Sequence, residues 1–245
     1  MQLYSLTDMG VTREMNQDYL FTSDDSLGHL PNLFIVADGM GGHKAGEFAS
    51  RYTVDTIVKG VKKCRKRDAE SILFTAITAA NQALREYGSE HPDMRGMGTT
   101  VVAASLKGDH LTVANVGDSR LYLVGKKMRQ VTKDHSLVQE LVRMGEITKE
   151  QARNHPDKNI ITRAIGAEDT VEIDFFHVRV HEGDKILLCS DGLTNMVKNS
   201  VIRETLNRED MSLEEKVELL VDTANKNGGK DNITVVVVDP MIDEV

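Results

Sequence analysis

The first third of the chain alternates short apolar runs with turn-forming residues and then changes to a longer period. Residues 2–7, 18–22 and 33–38 are rich in Leu, Phe, Ile, Val and Tyr and are bounded by turn formers, which predicts three strands. Apolar residues then recur at three- to five-residue steps, first over 45–61 and next over 72–83. This spacing predicts two helices, each with one apolar face.

The middle of the chain contains four short apolar runs in close succession. They cover 99–106, 110–116, 121–124 and 128–131, with turns such as 107–109 between them. Strands joined by short turns are typical of an antiparallel meander. We therefore expect all four to be neighbours in one sheet.

The remaining sequence predicts an insertion followed by a second set of strands and helices. Residues 134–170 combine one amphipathic stretch over 137–144 and a short helix over 149–153 with polar connections, which is typical of a surface insertion. The later pattern predicts strands at 171–180, 185–190 and 233–239 and helices at 198–206 and 213–226. Adjacent strands and paired helices favour a layered α+β fold over alternating β-α-β units.

Composition limits the class of protein. The 245 residues are 40% hydrophobic, enough for one large core, and we expect a single domain over 1–245. The apolar runs, such as 33–37, fall far short of the ~20 residues that cross a bilayer, and the first residues have no export signal. Cys64 and Cys189 show no CxxC spacing, which suits a reducing compartment. We expect a cytoplasmic protein without membrane insertion, with Cys189 in the core.

The net charge of -8 argues against nucleic acid or an anionic membrane as a partner, because both need a basic surface. Five basic residues do cluster within 62–67. We interpret them as the solvated end of the first long helix, where cations favour the helix dipole, and a docking patch is the alternative.

Five aspartates carry the strongest chemical signal. They lie where an apolar run meets glycine or another turn former, and they are Asp18, Asp38, Asp118, Asp191 and Asp231. A single Asp-Gly pair is more often a loop than a ligand. Five carboxylates that converge would repel one another unless cations lie between them. Since no His or Cys cluster accompanies these oxygens, the set predicts Mg²⁺ or Mn²⁺ rather than structural zinc.

Two further residues could act at such a site. Arg13 precedes Asp18 by five positions, and its planar fork could hold two phosphate oxygens; a surface salt bridge with Glu14 is the alternative. His43 lies in the glycine-rich segment 38–46 at a predicted helix start, where its ring could reach a group bound at the metals. A structural role for His43 remains equally open.

The other histidines form no better site. His177 and His181 alternate with Val178 and Val180, so we expect the two histidines on the exposed face of a strand.

The sequence lacks the motifs of other enzymes that act on phosphate. Neither cysteine has an arginine six positions on, because Glu70 and Asn195 stand there, and neither a G-x-x-x-x-G-K-[ST] loop nor a G-x-S-x-G elbow occurs. Metal-activated water is the chemistry that remains.

The motifs together resemble one family. Segments 13–18, 38–46, 96–100, 115–120, 134–136, 190–193 and 231–234 resemble, in content and order, the metal-dependent protein phosphatases of the PPM class, the type 2C serine/threonine phosphatases. The resemblance spans nearly the whole chain. The compact length is similar to the stand-alone bacterial members that oppose membrane-anchored serine/threonine kinases.

The resemblance implies a fold and a set of metal ligands. The fold is an antiparallel β-sandwich flanked on each side by paired α-helices, with the metals in a cleft at one end. Asp38 would bridge two metals, the Gly39 carbonyl would join one of them, and Asp191 and Asp231 would hold the other. Asp18 would act mainly through a metal-bound water, and Asp118 would help to hold a weaker third metal.

The resemblance also implies how substrate is treated. Arg13 would grip the phosphate, and His43 would donate a proton to the departing serine or threonine oxygen. Residues 134–170 correspond to the family's mobile flap. Gln17 stands where many eukaryotic members carry glutamate, which is similar to other bacterial sequences and removes one negative charge near the metals.

The leading hypothesis is a Mn²⁺- or Mg²⁺-dependent phosphatase that hydrolyses phosphoserine and phosphothreonine by in-line attack of water activated by two metals. Its partners would be phosphorylated proteins and a cognate serine/threonine kinase, and we expect a monomer. A catalytically silent phosphoprotein-binding module is the main alternative, although the intact aspartates and Arg13 speak against it. A carboxylate-metal nuclease is a third, disfavoured by the negative charge.

Overall fold

Two antiparallel sheets form the centre of the computed structural model, which describes residues 1–42, 44–153 and 155–241. The strands are β1 (Gln2–Asp8), β2 (Asp18–Ser23), β3 (Leu33–Met40), β4 (Gly98–Thr99), β5 (Val101–Lys107), β6 (His110–Val116), β7 (Arg120–Val124), β8 (Met128–Gln130), β9 (Asp174–Arg179), β10 (Lys185–Cys189) and β11 (Ile233–Asp239). The first sheet has the order β1-β11-β10-β7-β8. The second has the order β2-β3-β5-β6-β9, and β4 pairs with the end of β3.

Helices cover the outer face of each sheet. They are α1 (Lys44–Lys63), α2 (Ala69–Glu90), α3 (Leu137–Met144), α4 (Lys149–Arg153), α5 (Asp191–Met196), α6 (Asn199–Leu206) and α7 (Leu213–Lys226). Helices α1 and α2 pack on the second sheet, and α5 to α7 pack on the first. The four layers, helix–sheet–sheet–helix, confirm the α+β sandwich that the resemblance implies.

Strand β3 shows why these strands appear as continuous apolar runs. Phe34 and Val36 face the core between the two sheets, whereas Leu33, Ile35 and Ala37 face α1 and α2. Successive side chains point to opposite faces of a sheet. A strand in an inner layer is buried on both faces and is therefore apolar at nearly every position.

Local sequence sets several helix ends. Asp68 accepts a hydrogen bond from the Ser71 amide (2.8 Å) at the start of α2. Ser212 and Glu215 form a reciprocal capping box at the start of α7. Gly145, with φ 78°, ends α3 in the left-handed conformation that glycine adopts readily.

The predicted four-stranded meander is wrong. Strands β5 and β6 pair in the second sheet, but β7 and β8 lie in the first. The chain changes sheets at residues 117–119, so β6 pairs with β9 and β7 pairs with β10. A turn pattern in the sequence marks the reversal of the chain but does not specify which strand becomes the neighbour.

Two predicted strand boundaries also differ. The strand expected at 99–106 is interrupted at Thr100, and the strand expected at 171–180 covers only Asp174–Arg179. Thr99 belongs to the separate strand β4 and also exchanges backbone hydrogen bonds with Ile165. Residues 171–173 are not part of a strand, but Val171 and Ile173 still pack against the core beneath α1 and α2.

The structure confirms what the sequence predicts for Cys189, for His177 and for the basic cluster at 62–67. Cys189 is fully buried, and His177 is exposed in β9, with its Nε2 2.7 Å from Glu70 Oε2. His181 is also exposed, but it lies beyond the end of β9 and not on a strand. Basic side chains of the 62–67 cluster occupy the last turn of α1 and the exposed link beyond it. Among the helices that the structure describes, none is both long and apolar enough to span a bilayer.

Candidate active site

One end of the sandwich brings the five aspartates together. The start of β2, the end of β3, the β6–β7 turn, the end of β10 and the loop before β11 all lie at this end. Asp38, Asp118, Asp191 and Asp231 line a cleft of about 250 Å³ together with Arg13. Asp18 lies at its base and is only 5% exposed. The fold therefore assembles the carboxylate cluster that the sequence predicts.

Asp18 and Asp38 are direct partners in the β2–β3 ladder, so their side chains share one face of the sheet. Val36 lies on that same face and packs between the sheets, which places both carboxylates toward the other sheet. Asp38 is not the last residue of its strand, contrary to expectation. Strand β3 continues to Met40 because β4 pairs with its end and the Thr100 amide donates to the Asp38 carbonyl (2.9 Å).

Asp191 lies at the start of a helix and not in a loop after β10. It is the first residue of α5, which the sequence analysis missed because six residues are too few to show a helical period. A Cβ atom on Gly192 would lie 2.0 Å from the Asn232 carbonyl oxygen. Only glycine allows this close backbone approach, which brings Asp191 beside Asp231.

Two hydroxyl groups hold one side of the Asp18 carboxylate. Ser190 Oγ and Thr234 Oγ1 each donate to Asp18 Oδ2 at 2.7 Å. Because this uses the only hydroxyl hydrogen of Thr234, Thr7 must donate in the 2.7 Å contact between the two threonines. The other oxygen, Asp18 Oδ1, is buried and has no hydrogen-bond partner in the described structure. Ser190, Thr7 and Thr234 received no individual role in the sequence analysis, and nothing local distinguishes them from other hydroxyl residues.

Arg13 forms its ion pair with Asp231 and not with Glu14, since its Nη2 lies 2.9 Å from Asp231 Oδ2. The side chains are 46% and 28% exposed, respectively. An ion pair this exposed contributes little stability. The guanidinium is thus at the cleft but is not locked in place by the fold.

Asn232 fixes the loop that carries Arg13. Its Nδ2 donates to the carbonyls of Met9 and Met15, both at 2.9 Å, and its Oδ1 accepts from the Gln17 amide at 2.8 Å. A buried amide that satisfies three backbone groups is a strong positional constraint. Asn232 lies in one of the motifs that resemble the family, but the sequence gives no sign that it holds the loop that carries Arg13.

A hydroxyl pair connects Asp38 with the turn that carries Asp118. Thr100 Oγ1 accepts from the Asp38 amide at 2.9 Å and lies 2.7 Å from Ser119 Oγ. Asp118 itself is 9% exposed. Thr100 therefore contacts Asp38, the candidate bridging ligand, and also supports the turn that carries Asp118, the candidate ligand of a third metal.

Burial and mutual repulsion disfavour the charged form of these carboxylates. Burial raises the pKa of Asp18 to about 7, with Asp191 and Asp231 adding to the rise and the two hydroxyl donors opposing it. Burial likewise raises the pKa of Asp118 to about 7 and that of Asp191 to about 6. For Asp38, burial and then repulsion by Asp18 raise the pKa well above its ordinary value. The site therefore favours binding either protons or cations.

The side chains fit hard divalent cations. Asp18 Oδ1 and Asp191 Oδ1 are buried oxygens without a hydrogen-bond partner among the described residues, and the lining of the cleft includes no described His or Cys. Within the described ranges, no three acidic, imidazole or thiol groups form a ready-made cage for one ion. Ions held here would keep part of their water shell, as Mg²⁺ usually does.

The expected site also includes His43, Gln17 and the segment 134–170. His43, the proposed proton donor, lies outside the described residues. Asn159 and Ile161 of the segment 134–170 contribute to the cleft lining, although the sequence analysis named neither. Gln17 also lines the cleft, and its Nε2 lies 3.3 Å from the Gly41 carbonyl.

Known proteins share both the sequence and the fold. The family model described as Protein phosphatase 2C matches residues 11–234. A serine/threonine phosphatase stp from Listeria innocua is 44% identical over 240 residues, which cover 95% of this chain and 93% of that protein. The crystal structure of serine/threonine phosphatase Stp1 from Staphylococcus aureus is similar with a TM-score of 0.90 and 36% identity, covering 96% of this chain and 93% of Stp1. The catalytic domain of the serine threonine protein phosphatase PstP, solved in complex with two manganese ions, is similar with a TM-score of 0.84 and 34% identity, covering 96% of each chain.

Proposed function

Since the chain belongs to the protein phosphatase 2C family and is a serine/threonine protein phosphatase, we propose that the five-aspartate cleft hydrolyses phosphoserine and phosphothreonine using two divalent metal ions. The observation that carries this proposal is the convergence of five carboxylates and the Arg13 guanidinium at one cleft. Carboxylates hold the cations, and a planar guanidinium suits the phosphate.

The proposed metal ligands are those that the family resemblance implies, and all of them line the cleft. Asp38, on the face between the sheets, would bridge the two ions, with the Gly39 carbonyl on one of them and Asp191 and Asp231 on the other. Asp231 would exchange its contact with Arg13 for the ion, since both use the same carboxylate. When bound, such ions lower the pKa of a shared water, so that hydroxide is available near neutral pH.

Asp18 and Asp118 would have supporting roles. The hydroxyl contacts are both on Asp18 Oδ2, and Oδ1 has no partner among the described residues, so Oδ1 would accept a hydrogen bond from a metal-bound water. Asp118, which also lines the cleft, would help to hold a weaker third ion.

Arg13 and His43 would act on the substrate. Released from Asp231, the Arg13 fork would hold two oxygens of the phosphate and offset their charge as the phosphorus is attacked. His43 would donate a proton to the departing serine or threonine oxygen, a contribution of roughly 10²- to 10⁴-fold in rate. The acidic cleft alone would repel a phosphate dianion, so Arg13 and cations are both needed.

The finer assignments rest on similarity. PstP was solved with manganese, and we propose Mn²⁺ or Mg²⁺ for this chain. We also propose that it acts as a monomer in the cytoplasm, on phosphoproteins modified by a cognate serine/threonine kinase. The residues 134–170 would serve as the flap beside the cleft, which agrees with the position of Asn159 and Ile161 in its lining.

The test is hydrolysis of p-nitrophenyl phosphate and of a phosphothreonine peptide with added Mn²⁺, with Mg²⁺ and with EDTA. We expect activity with metal and none in EDTA; activity that persists in chelator would refute the two-metal assignment. Asp38→Asn should abolish turnover, whereas Asp118→Asn should lower it less, because we assign Asp38 the bridge between the two catalytic ions and Asp118 only a weaker third ion. Small, equal losses would contradict that distinction. A peptide bound tightly with metal but never hydrolysed would favour the catalytically silent module.

A further inference from the structure

A second cleft of about 310 Å³ adjoins the five-aspartate cleft. The two share Met40, which lies two residues after Asp38 in β3. A substrate chain whose phosphate reaches the first cleft therefore needs only a few residues, at about 3.3 Å each, to enter the second. The size is within the range of clefts that bind ligands.

The second cleft has the opposite charge to the first. Its charged lining residues are Arg85 and Arg95, and its described lining includes no carboxylate. In the first cleft, four aspartates accompany one arginine. For a chain with a net charge of -8, a neighbouring cleft whose charged lining residues are both arginines is a distinct local feature.

The two arginines differ in what they contact. Arg85 Nη1 donates to the Ala167 carbonyl at 3.1 Å, and its Nη2 pairs with Asp169. Asn81 supports the same segment, because its Oδ1 accepts from the Gly166 amide at 2.7 Å. Arg85 is thus used to fix one wall of the cleft against α2.

Arg95, by contrast, is exposed, and its side chain makes no hydrogen bond or ion pair within the described part of the protein. It follows the short 3-10 turn Pro92–Met94 and stands beside Gly96 at the rim. An unpaired guanidinium next to a preformed wall is available for an anionic group from outside.

The floor of the cleft is apolar and adaptable. Met40, Met94 and Met97 supply flexible thioether side chains, and Gly96 is exposed, with no atom within 4 Å of where its Cβ would lie, so its backbone is open to a passing chain. Methionine-lined surfaces accommodate peptides of varied sequence. A charged contact with Arg95 would then select among substrate sequences, because the apolar floor does not discriminate between them.

We propose that this cleft binds the segment of a phosphoprotein that flanks the phosphorylated residue, and that Arg95 selects an aspartate or glutamate there. The proposal rests on the proposed phosphatase function and specifies its substrate class: phosphoserine or phosphothreonine with an acidic residue within a few positions on one side.

The test uses phosphothreonine peptides in which one glutamate is moved along each flank, each compared with the same peptide carrying glutamine. We expect the wild-type protein to show a lower KM for glutamate at positions on one flank, by about threefold to fivefold, the upper part of the range for an exposed ion pair. Arg95→Gln should remove this difference with kcat unchanged, and Arg95→Glu should make lysine the favoured residue instead.

Two controls isolate the contact. Arg129→Gln removes the same charge from an exposed position on β8, in the other sheet, and should leave the preference intact. p-Nitrophenyl phosphate has no flanking segment, so its kinetics should not change in Arg95→Gln.

Equal KM values for glutamate and glutamine peptides in the wild type, or an equal loss in Arg129→Gln, would overturn the proposal. Peptides that are all hydrolysed without preference refute only the acidic subsite, whereas no hydrolysis of any phosphoester refutes the proposed function itself.

Discussion

At the scale of single residues, the site depends on how each carboxylate is held as much as on its presence. Asp18 illustrates this, since Ser190 and Thr234 both donate to Oδ2, whereas Oδ1 is buried and has no partner among the described residues. Partners of this kind orient metal-binding groups, and their loss typically reduces affinity or activity 10- to 100-fold.

Thr234→Val should therefore weaken Mn²⁺ binding by about tenfold, because valine keeps the shape but cannot donate to Asp18. Metal titration followed by calorimetry measures this without turnover. Thr7→Val is the matched control, since Thr7 donates to Thr234 and not to Asp18, and Thr234→Ser should restore binding. Equal losses in Thr7→Val and Thr234→Val would indicate a general packing effect instead.

His43 has a chemical prediction of its own. If it protonates the leaving oxygen, His43→Gln should slow hydrolysis of phosphothreonine by about 100-fold but hardly affect p-nitrophenyl phosphate, whose phenolate leaves without a proton. The ratio of the two kcat values is the measurement. A similar decrease for both substrates would rule out the acid role.

At the scale of elements, the site depends on close contacts between the ends of strands and helices. Helix α5 and the loop before β11 touch through backbone atoms at Gly192 and Asn232. Neither element alone indicates this contact, because it joins residues 40 positions apart in sequence.

Gly192→Ala should force these elements apart, because the added Cβ would lie 2.0 Å from a carbonyl oxygen. We expect a loss of about 1–3 kcal/mol in the free energy of unfolding, the usual cost of overpacking, together with weaker metal binding. Chemical denaturation measures the first and titration the second.

Gly88→Ala is the control for that substitution. Gly88 is also a helical glycine, but a Cβ atom added there would lie at an ordinary van der Waals distance of 3.5 Å from Met97 Cε. We expect it to be neutral or stabilising by about 0.5–1 kcal/mol, since alanine favours helix more than glycine does. Similar destabilisation by both substitutions would mean that the contact at Gly192 can relax.

At the scale of the whole molecule, the buried carboxylates link stability to pH and to metal. The pKa of Asp18 rises from an ordinary value near 3.8 to about 7 in the folded state, so between these values the folded protein binds more protons than the unfolded chain. The free energy of unfolding contributed by this group is then present at low pH and is lost as the pH rises through about 7.

In EDTA, we therefore expect Asp18→Asn to be more stable than the wild type at pH 7.5, by about 3 kcal/mol, and to lose this advantage near pH 4. The asparagine carbonyl can still accept from Ser190 and Thr234, so the hydroxyl contacts remain available. Urea unfolding across pH measures the difference between the two proteins. Parallel stability curves would show that Asp18 does not titrate as described, and saturating Mn²⁺ should stabilise the wild type more than the variant.

The sequence alone predicts most of the elements and the type of chemistry. Continuous apolar runs predict strands buried on both faces, the three- to five-residue period predicts the long helices, and the five aspartates with Arg13 predict metal and phosphate. These features depend on local spacing and residue type, which can be read directly from the sequence. The resemblance of the motifs added the four-layer arrangement of those elements.

Which residues meet is set at the level of tertiary structure. The helix that begins at Asp191 has too few residues to show a period in the sequence. Packing pairs β7 with β10 instead of β6, places Asp18 opposite Asp38, pairs Arg13 with Asp231 and puts the second cleft beside the first. Each of these contacts joins segments distant in sequence. Strand partners and close backbone contacts are fixed by the packing of both sheets and their helices together, and no local pattern contains that information.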